Sequence, residues 1–190
     1  TCVDPNDERY GSILQTPKLA WRGHGLRAAF ADDLGIPVAY DTDVNVACLG
    51  EVVFGCCKGL EDAVYVTIGT GVGAGVLSGG QLVHGMMHPE AGHILVTRDP
   101  RDTIGEHSGC PFHDNCLEGL IAGPGVAKRG GGVADHTPIV PLARKKCAEM
   151  LNGYIVTPEM ADIDNYIVNN SLEGKQGIMG CLALGAQALQ

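Results

Sequence analysis

Between residues 63 and 83 the chain carries a glycine-punctuated pattern that restricts its fold more than any other stretch. Residues 63–68 read Ala-Val-Tyr-Val-Thr-Ile, rich in the β-branched and aromatic side chains that fit a pleated, half-buried surface. Gly69-Thr70-Gly71-Val72-Gly73 follows, then an apolar run at 74–77 and another at 81–83, separated by Ser78-Gly79-Gly80. The spacing predicts a strand, a tight loop, a returning strand and a third strand, an antiparallel meander. Backbone N–H groups in such a glycine loop can approach phosphate oxygens.

The flanking segments predict helices, so the fold class is α/β. Leu26, Ala29, Phe30 and Leu34 follow helical spacing and Gly35 stops them; residues 36–40 read as a strand and residues 44–53 as a helix that Gly55 ends. Asp43 stands at the junction of that strand and that helix. Carboxyl ends of strands in open α/β sheets face a crevice, and a carboxylate there can take a proton from a substrate hydroxyl. Phosphoryl transfer to a hydroxyl is the first functional expectation. Asp at a strand-to-helix junction is also a common helix cap, and tight hairpins need glycine without any phosphate.

Further along, residues 94–96 read as a strand, and Leu117, Leu120 and Ile121 share a helix face that residues 123–125 break. Residues 130–135 read as loop, 138–155 as helix, 165–169 as a short strand and 177–189 as a helix of small and apolar residues. Residues 1–20 read as loop and edge structure, and a change of unit falls near residues 53–60.

The 22 acidic residues outweigh 13 basic ones, which argues against nucleic acid or an anionic membrane as partner. No apolar run reaches the length of a membrane span and the N-terminus lacks the order of a signal peptide, so a cytoplasmic location is expected. Six of the eight cysteines are scattered, with Cys56 and Cys57 adjacent, and are expected to be small buried hydrophobes in a reducing compartment. Cys110 and Cys116 differ. Cys110-x2-His113-x2-Cys116 offers two thiolates and an imidazole, and His93, or alternatively His107 or His88, can complete the tetrahedral N/S set that zinc prefers. Four protein ligands would leave no open position, making the zinc structural. Glu90, three residues before His93, would then be held in place, where a carboxylate can grip vicinal hydroxyls of a sugar.

Residues 41–51, 65–75, 88–93 and 110–119, taken together, resemble the ROK family of sugar kinases and sugar-sensing repressors, most closely its bacterial fructokinases. The resemblance covers about residues 4–135, and more weakly 160 onward. It implies an actin-like ATPase (ribonuclease H-like) fold of two α/β domains around an active-site cleft, and Mg²⁺·ATP-dependent phosphorylation of the 6-hydroxyl of fructose. It implies Asp43 as general base, Asn45, Glu90 and His93 at the sugar, and Thr70, Gly71, Gly123 and Pro124 at ATP. His93, Cys110, His113 and Cys116 would be the zinc ligands. The expected division is residues 1–55 with 176–190 against residues 56–175, in a homodimer. The alternatives are another hexose kinase of the family, such as a glucokinase, or a non-catalytic sugar-responsive regulator. The family's opening strand with its phosphate loop has no match before Thr1, nor its adenosine-contacting strand between about Asp135 and Pro141. A fragment, or ordered pieces joined together, is therefore expected.

Overall fold

The computed structural model describes residues 1–16, 18–85, 88–102, 109–128 and 139–189. Its centre is the helix α2 (Asp43–Phe54), in which every residue from Val44 to Glu51 is buried. Thr42 caps it, its hydroxyl accepting from Asn45 N at 3.2 Å, and Gly55 ends it. A helix apolar on all sides must be covered on all sides. The meander β1 (Ala63–Ile68), β2 (Val72–Ser78) and β3 (Gln81–Leu82) covers one side and α8 (Gln176–Ala188) another. β1 pairs antiparallel with β2 from Ala63↔Leu77 to Ile68↔Val72, and β2 with β3 through Leu77↔Leu82, as the glycine spacing predicts.

Glycine lets α2 and α8 come close. A Cβ on Gly180 would collide with the Val46 carbonyl, and one on Gly50 with the backbone at Gln176 and Gly180. The small residues near the C-terminus thus serve close helix packing. At the far end of α2 the Glu51 carboxylate, 2% exposed, accepts from Cys56 N, Ser171 N, Ser171 Oγ and Leu172 N at 2.7–3.3 Å. This clasp ties α2 to a segment 120 residues distant.

Helix α1 (Leu26–Leu34) stops at Gly35, which is left-handed as predicted. The chain continues through short helices α3 (Leu117–Ile121), α4 (Gly123–Lys128), α6 (Pro158–Ala161) and α7 (Ile163–Tyr166), and the longer α5 (Ile139–Leu151). Arg144 of α5 donates to the carbonyls of Asp164 and Ile167, fastening α5 to α7. No helix among the described residues is long and apolar enough to cross a membrane.

Several expectations are corrected. Residues 36–40 form no strand: the backbone pairs with side chains instead, Tyr40 N donating to the Tyr10 hydroxyl and the Val38 carbonyl accepting from Arg27 Nε. Residues 94–96 contribute a single bridge, Leu95↔Cys116, not a full strand. The helix of residues 117–121 does end before Gly123, and Gly123-Pro124-Gly125 then opens a second helix, α4, since proline's fixed φ and missing N–H suit a first turn. Residues 165–169 begin within α7, because Asp162 O accepts from Asn165 N and Tyr166 N and no strand among the described residues pairs with them. Cys2 and Cys48 are buried as expected, but Cys56 and Cys181 are exposed and Cys57 and Cys147 half-buried. Residues 130–135, expected to be loop, lie outside the described residues.

Candidate active site

The N-terminal end of α2 opens onto a pocket of about 490 Å³ whose lining includes Asp43, Thr70, Gly71, His88, Glu90 and Glu118. Asp43 is exposed and occupies the first helical position; the cap is Thr42, so the capping reading of Asp43 is not what the structure shows. Among the described residues its one hydrogen bond runs from its own neighbour, Val44 N to Oδ1 at 3.0 Å, leaving Oδ2 open to the pocket. Two residues before it, the fixing is tight: Asp41 Oδ1 accepts from Thr42 N and Asn45 Nδ2, and Oδ2 lies 2.6 Å from His84 Nε2. The turn that carries Asp43 is held by Asp41.

The glycine loop faces this helix end. Gly69 N donates to the Gly71 carbonyl and Gly123 N to the Gly69 carbonyl, so the start of α4 rests on the loop. Val72 N is taken by Glu118 Oε2 at 2.9 Å. Among the described residues, Thr70 N and Gly71 N at the tip have no partner, an arrangement suited to an oxyanion.

On the opposite wall, Glu90 adopts a left-handed φ of 51° just before a short 3-10 turn at Ala91–His93. That turn directs His93 away from the pocket lining and into a cluster with Cys110, His113 and Cys116, whose ligand atoms all lie within 4.8 Å of one another. Cys110 Sγ is 3.8 Å from His93 Nδ1 and 3.6 Å from His113 Nδ1. A tetrahedral zinc with the usual Zn–S and Zn–N lengths separates its S and N ligands by about 3.6 Å, so the donor set fits the ion. Burial pushes the Cys116 thiol above its usual range, and its sulfur accepts from Gly119 N at 3.3 Å as the cap of α3. The bridge Leu95↔Cys116, with Leu117 N to Ile94 O and Val96 N to Asn115 O, pins the cysteine loop beside residues 94–96.

Four of the residues singled out from sequence, Asp43, Thr70, Gly71 and Glu90, therefore share one pocket. Asn45 is 1% exposed, behind the lining, and its Oδ1 has no partner among the described residues. Gly123 touches the loop from outside and Pro124 is exposed; neither lines the pocket. Of the rival metal ligands, His88 lines the pocket instead of joining the cluster, and His107 lies outside the described residues.

Sequence reasoning missed Glu118. It follows the second cysteine by two residues, braces the glycine loop through Val72 N, and its Oε1 lies 3.9 Å from His93 Nε2. One carboxylate thus stands between the loop and the metal-binding cluster. The signal available was an acid in the first turn of the helix that the second cysteine caps. Asp41 and His84 were missed for a different reason, since their partnership spans 43 residues of sequence.

A sequence profile described as the ROK family matches residues 2–130. A fructokinase of Pediococcus pentosaceus is 36% identical, over 99% of this chain and 77% of that protein. A fructokinase of Zymomonas mobilis is 34% identical, over 98% of this chain and 75% of that protein. Among solved structures, the ROK hexokinase from Thermus thermophilus matches with a TM-score of 0.56 and 21% identity, over 86% of this chain and 70% of that one. The α/β architecture is thus that of the ROK sugar kinases, an actin-like ATPase fold.

Proposed function

We propose, from the premise that this chain belongs to the ROK family, that it is a fructokinase, transferring a phosphoryl group from Mg²⁺·ATP to the 6-hydroxyl of fructose. The observation that carries the reading is the shared pocket, which sets the open carboxylate of Asp43 and the unpartnered N–H groups of Thr70 and Gly71 around one space.

In this reading Asp43 accepts the proton of the attacking hydroxyl. Phosphoryl transfer asks little covalent chemistry of the protein and depends on positioning and charge neutralisation. Thr70 and Gly71 hold phosphate oxygens through their backbone, and Mg²⁺ supplies further neutralisation on the nucleotide. Glu90, with Glu118 on the same lining, grips sugar hydroxyls as an acceptor; Asn45 and His93 support the sugar side from behind the lining. Gly123 and Pro124 border the nucleotide through their seat against the loop. His93, Cys110, His113 and Cys116 would hold zinc, which would fix the loop and supply no chemistry to the reacting atoms.

In this reading residues 1–55 with 176–190 form one domain of this kinase and 56–175 the other. The reading includes a homodimer and a cytoplasmic location, the latter supported by the lack of any disulfide among the eight cysteines.

The test is ADP formation by the purified chain with Mg²⁺·ATP and either fructose or glucose, with the product identified by phosphorus NMR. Fructose 6-phosphate formed in preference to glucose 6-phosphate is expected. Turnover confined to glucose would make the protein a different hexose kinase, and no sugar-dependent ADP would overturn the enzymatic reading.

A further inference from the structure

The turn that follows α2 carries Cys56 and Cys57, and it lies at the opposite end of that helix from the pocket. Their sulfurs are 3.9 Å apart. Cys56 is exposed and Cys57 half-exposed, so a ligand has an open path to both. Behind them lies the buried Glu51 carboxylate: Cys56 Sγ donates to Glu51 Oε2 at 3.3 Å, and Cys56 N donates to the same oxygen at 3.0 Å. The Asn169 carbonyl lies 3.8 Å from Cys56 Sγ on another side. The Cys56 sulfur is therefore held in place by contacts to α2 and to the segment after α7.

Two chemistries are open to a pair of adjacent thiols, and geometry separates them. A disulfide needs its Cα atoms about 4.4–6.8 Å apart, whereas neighbouring residues across a trans peptide are held at about 3.8 Å. Oxidation to a disulfide would therefore strain the turn. Chelation asks for something else. Two sulfurs on one trivalent, pyramidal arsenic sit closer together than two thiolates on a tetrahedral ion, because the lone pair narrows the S–As–S angle. From the observed 3.9 Å the two accessible thiols close that gap by rotation about their Cα–Cβ bonds. Thiolate pairs select soft, thiophilic acceptors over hard cations.

We propose that Cys56 and Cys57 form a dithiol site for trivalent arsenic, separate from the candidate active site and from the His93–Cys110–His113–Cys116 cluster. With an arsenoxide, R–As=O, two S–H bonds break and two As–S bonds form. The two protons leave with the arsenoxide oxygen as one water, and arsenic stays trivalent throughout. Binding withdraws the Cys56 hydrogen from Glu51, which keeps its bonds from Cys56 N, Ser171 and Leu172.

The test adds phenylarsine oxide to the purified full chain and follows it by intact mass and by mass mapping of proteolytic fragments. The expected result is one adduct on the fragment bearing Cys56 and Cys57, stable to excess monothiol and removed by a small dithiol. Cys56→Ser and Cys57→Ser should each weaken retention by about a hundredfold, because the second sulfur acts at high effective concentration. Both positions are solvent-accessible, and circular dichroism of each variant shows whether the fold is kept. An adduct found only on Cys110 and Cys116, or one on Cys56 or Cys57 that a monothiol strips, would overturn the proposal.

Discussion

The two ends of α2 carry two carboxylates with opposite surroundings. Asp43, at the first position, is exposed and accepts one bond, from the N–H beside it. Glu51, two turns on, is 2% exposed and accepts from Cys56, Ser171 and Leu172 with both oxygens. A carboxylate whose lone pairs are all used inside the protein holds structure together, while one with an oxygen left open on a pocket is available for chemistry. Sequence alone does not separate them, because both are acids within one helical run. Their partners do.

The largest effect expected from this contrast is at the pocket end. Asp43→Asn keeps the shape and the bond from Val44 N but removes the base, so turnover of fructose should fall by about a thousandfold with an unchanged melting temperature. Coupled detection of ADP beside thermal unfolding checks both parts.

Glu51→Ala should do the reverse. It leaves the part-buried donors of Cys56, Ser171 and Leu172 unmatched, so a loss of about 2 kcal/mol in denaturant unfolding is expected, with turnover per folded molecule retained. The pH dependence follows from the same bonds. Burial pushes the Glu51 carboxyl up, but the hydrogen bonds from Ser171 and Cys56 outweigh it and leave the group below its ordinary value. A carboxyl depressed in the folded state contributes stability that is present above its unfolded value of about 4.3 and is lost as pH falls through the lower folded value. Wild-type protein should therefore lose stability below about pH 4, and Glu51→Ala should flatten that part of the profile.

Zinc sharpens the comparison from the pocket side. One zinc per chain is expected on protein purified without added metal, and Cys116→Ser should lower both zinc content and melting temperature. Mild chelation, at a temperature where circular dichroism shows the fold intact, should raise the KM for fructose more than that for ATP. Glu90 precedes His93 by three residues and Glu118 follows Cys116 by two, so the metal cluster aims the sugar wall, while Thr70 and Gly71 sit on the β1–β2 hairpin. Equal loss of both constants would mean that the metal serves the fold as a whole.

The smallest effect expected is at the helix cap. Thr42→Ala should cost about 1 kcal/mol in unfolding, since the hydroxyl satisfies only Asn45 N.

Local signals were read well. The β-branched run of residues 63–68, the glycines of the meander, the Gly35 stop and the spacing of Cys110, His113 and Cys116 each depend on neighbours a few positions away, and each matches the structure. What was missed depended on partners distant in sequence. Residues 36–40 have strand composition but meet side chains of Tyr10 and Arg27 where a strand would need a ladder. Residues 165–169 have strand residues but no strand beside them among the described residues. The same reason hid Asp41 with His84, Glu51 with Ser171, and the reach of Glu118 to Val72. Gly50 and Gly180 were legible as small residues, but not as the contact between two helices that requires them.

The most direct test of the Asp43 assignment is a calorimetric titration of fructose into Asp43→Asn and wild-type protein under identical conditions, run beside the turnover assay. The account predicts fructose affinity within a few-fold of wild type in a variant that no longer turns over. Retained turnover, or a loss of fructose binding in step with the loss of turnover, would contradict the assignment of Asp43 as the base that acts on a sugar held by other groups.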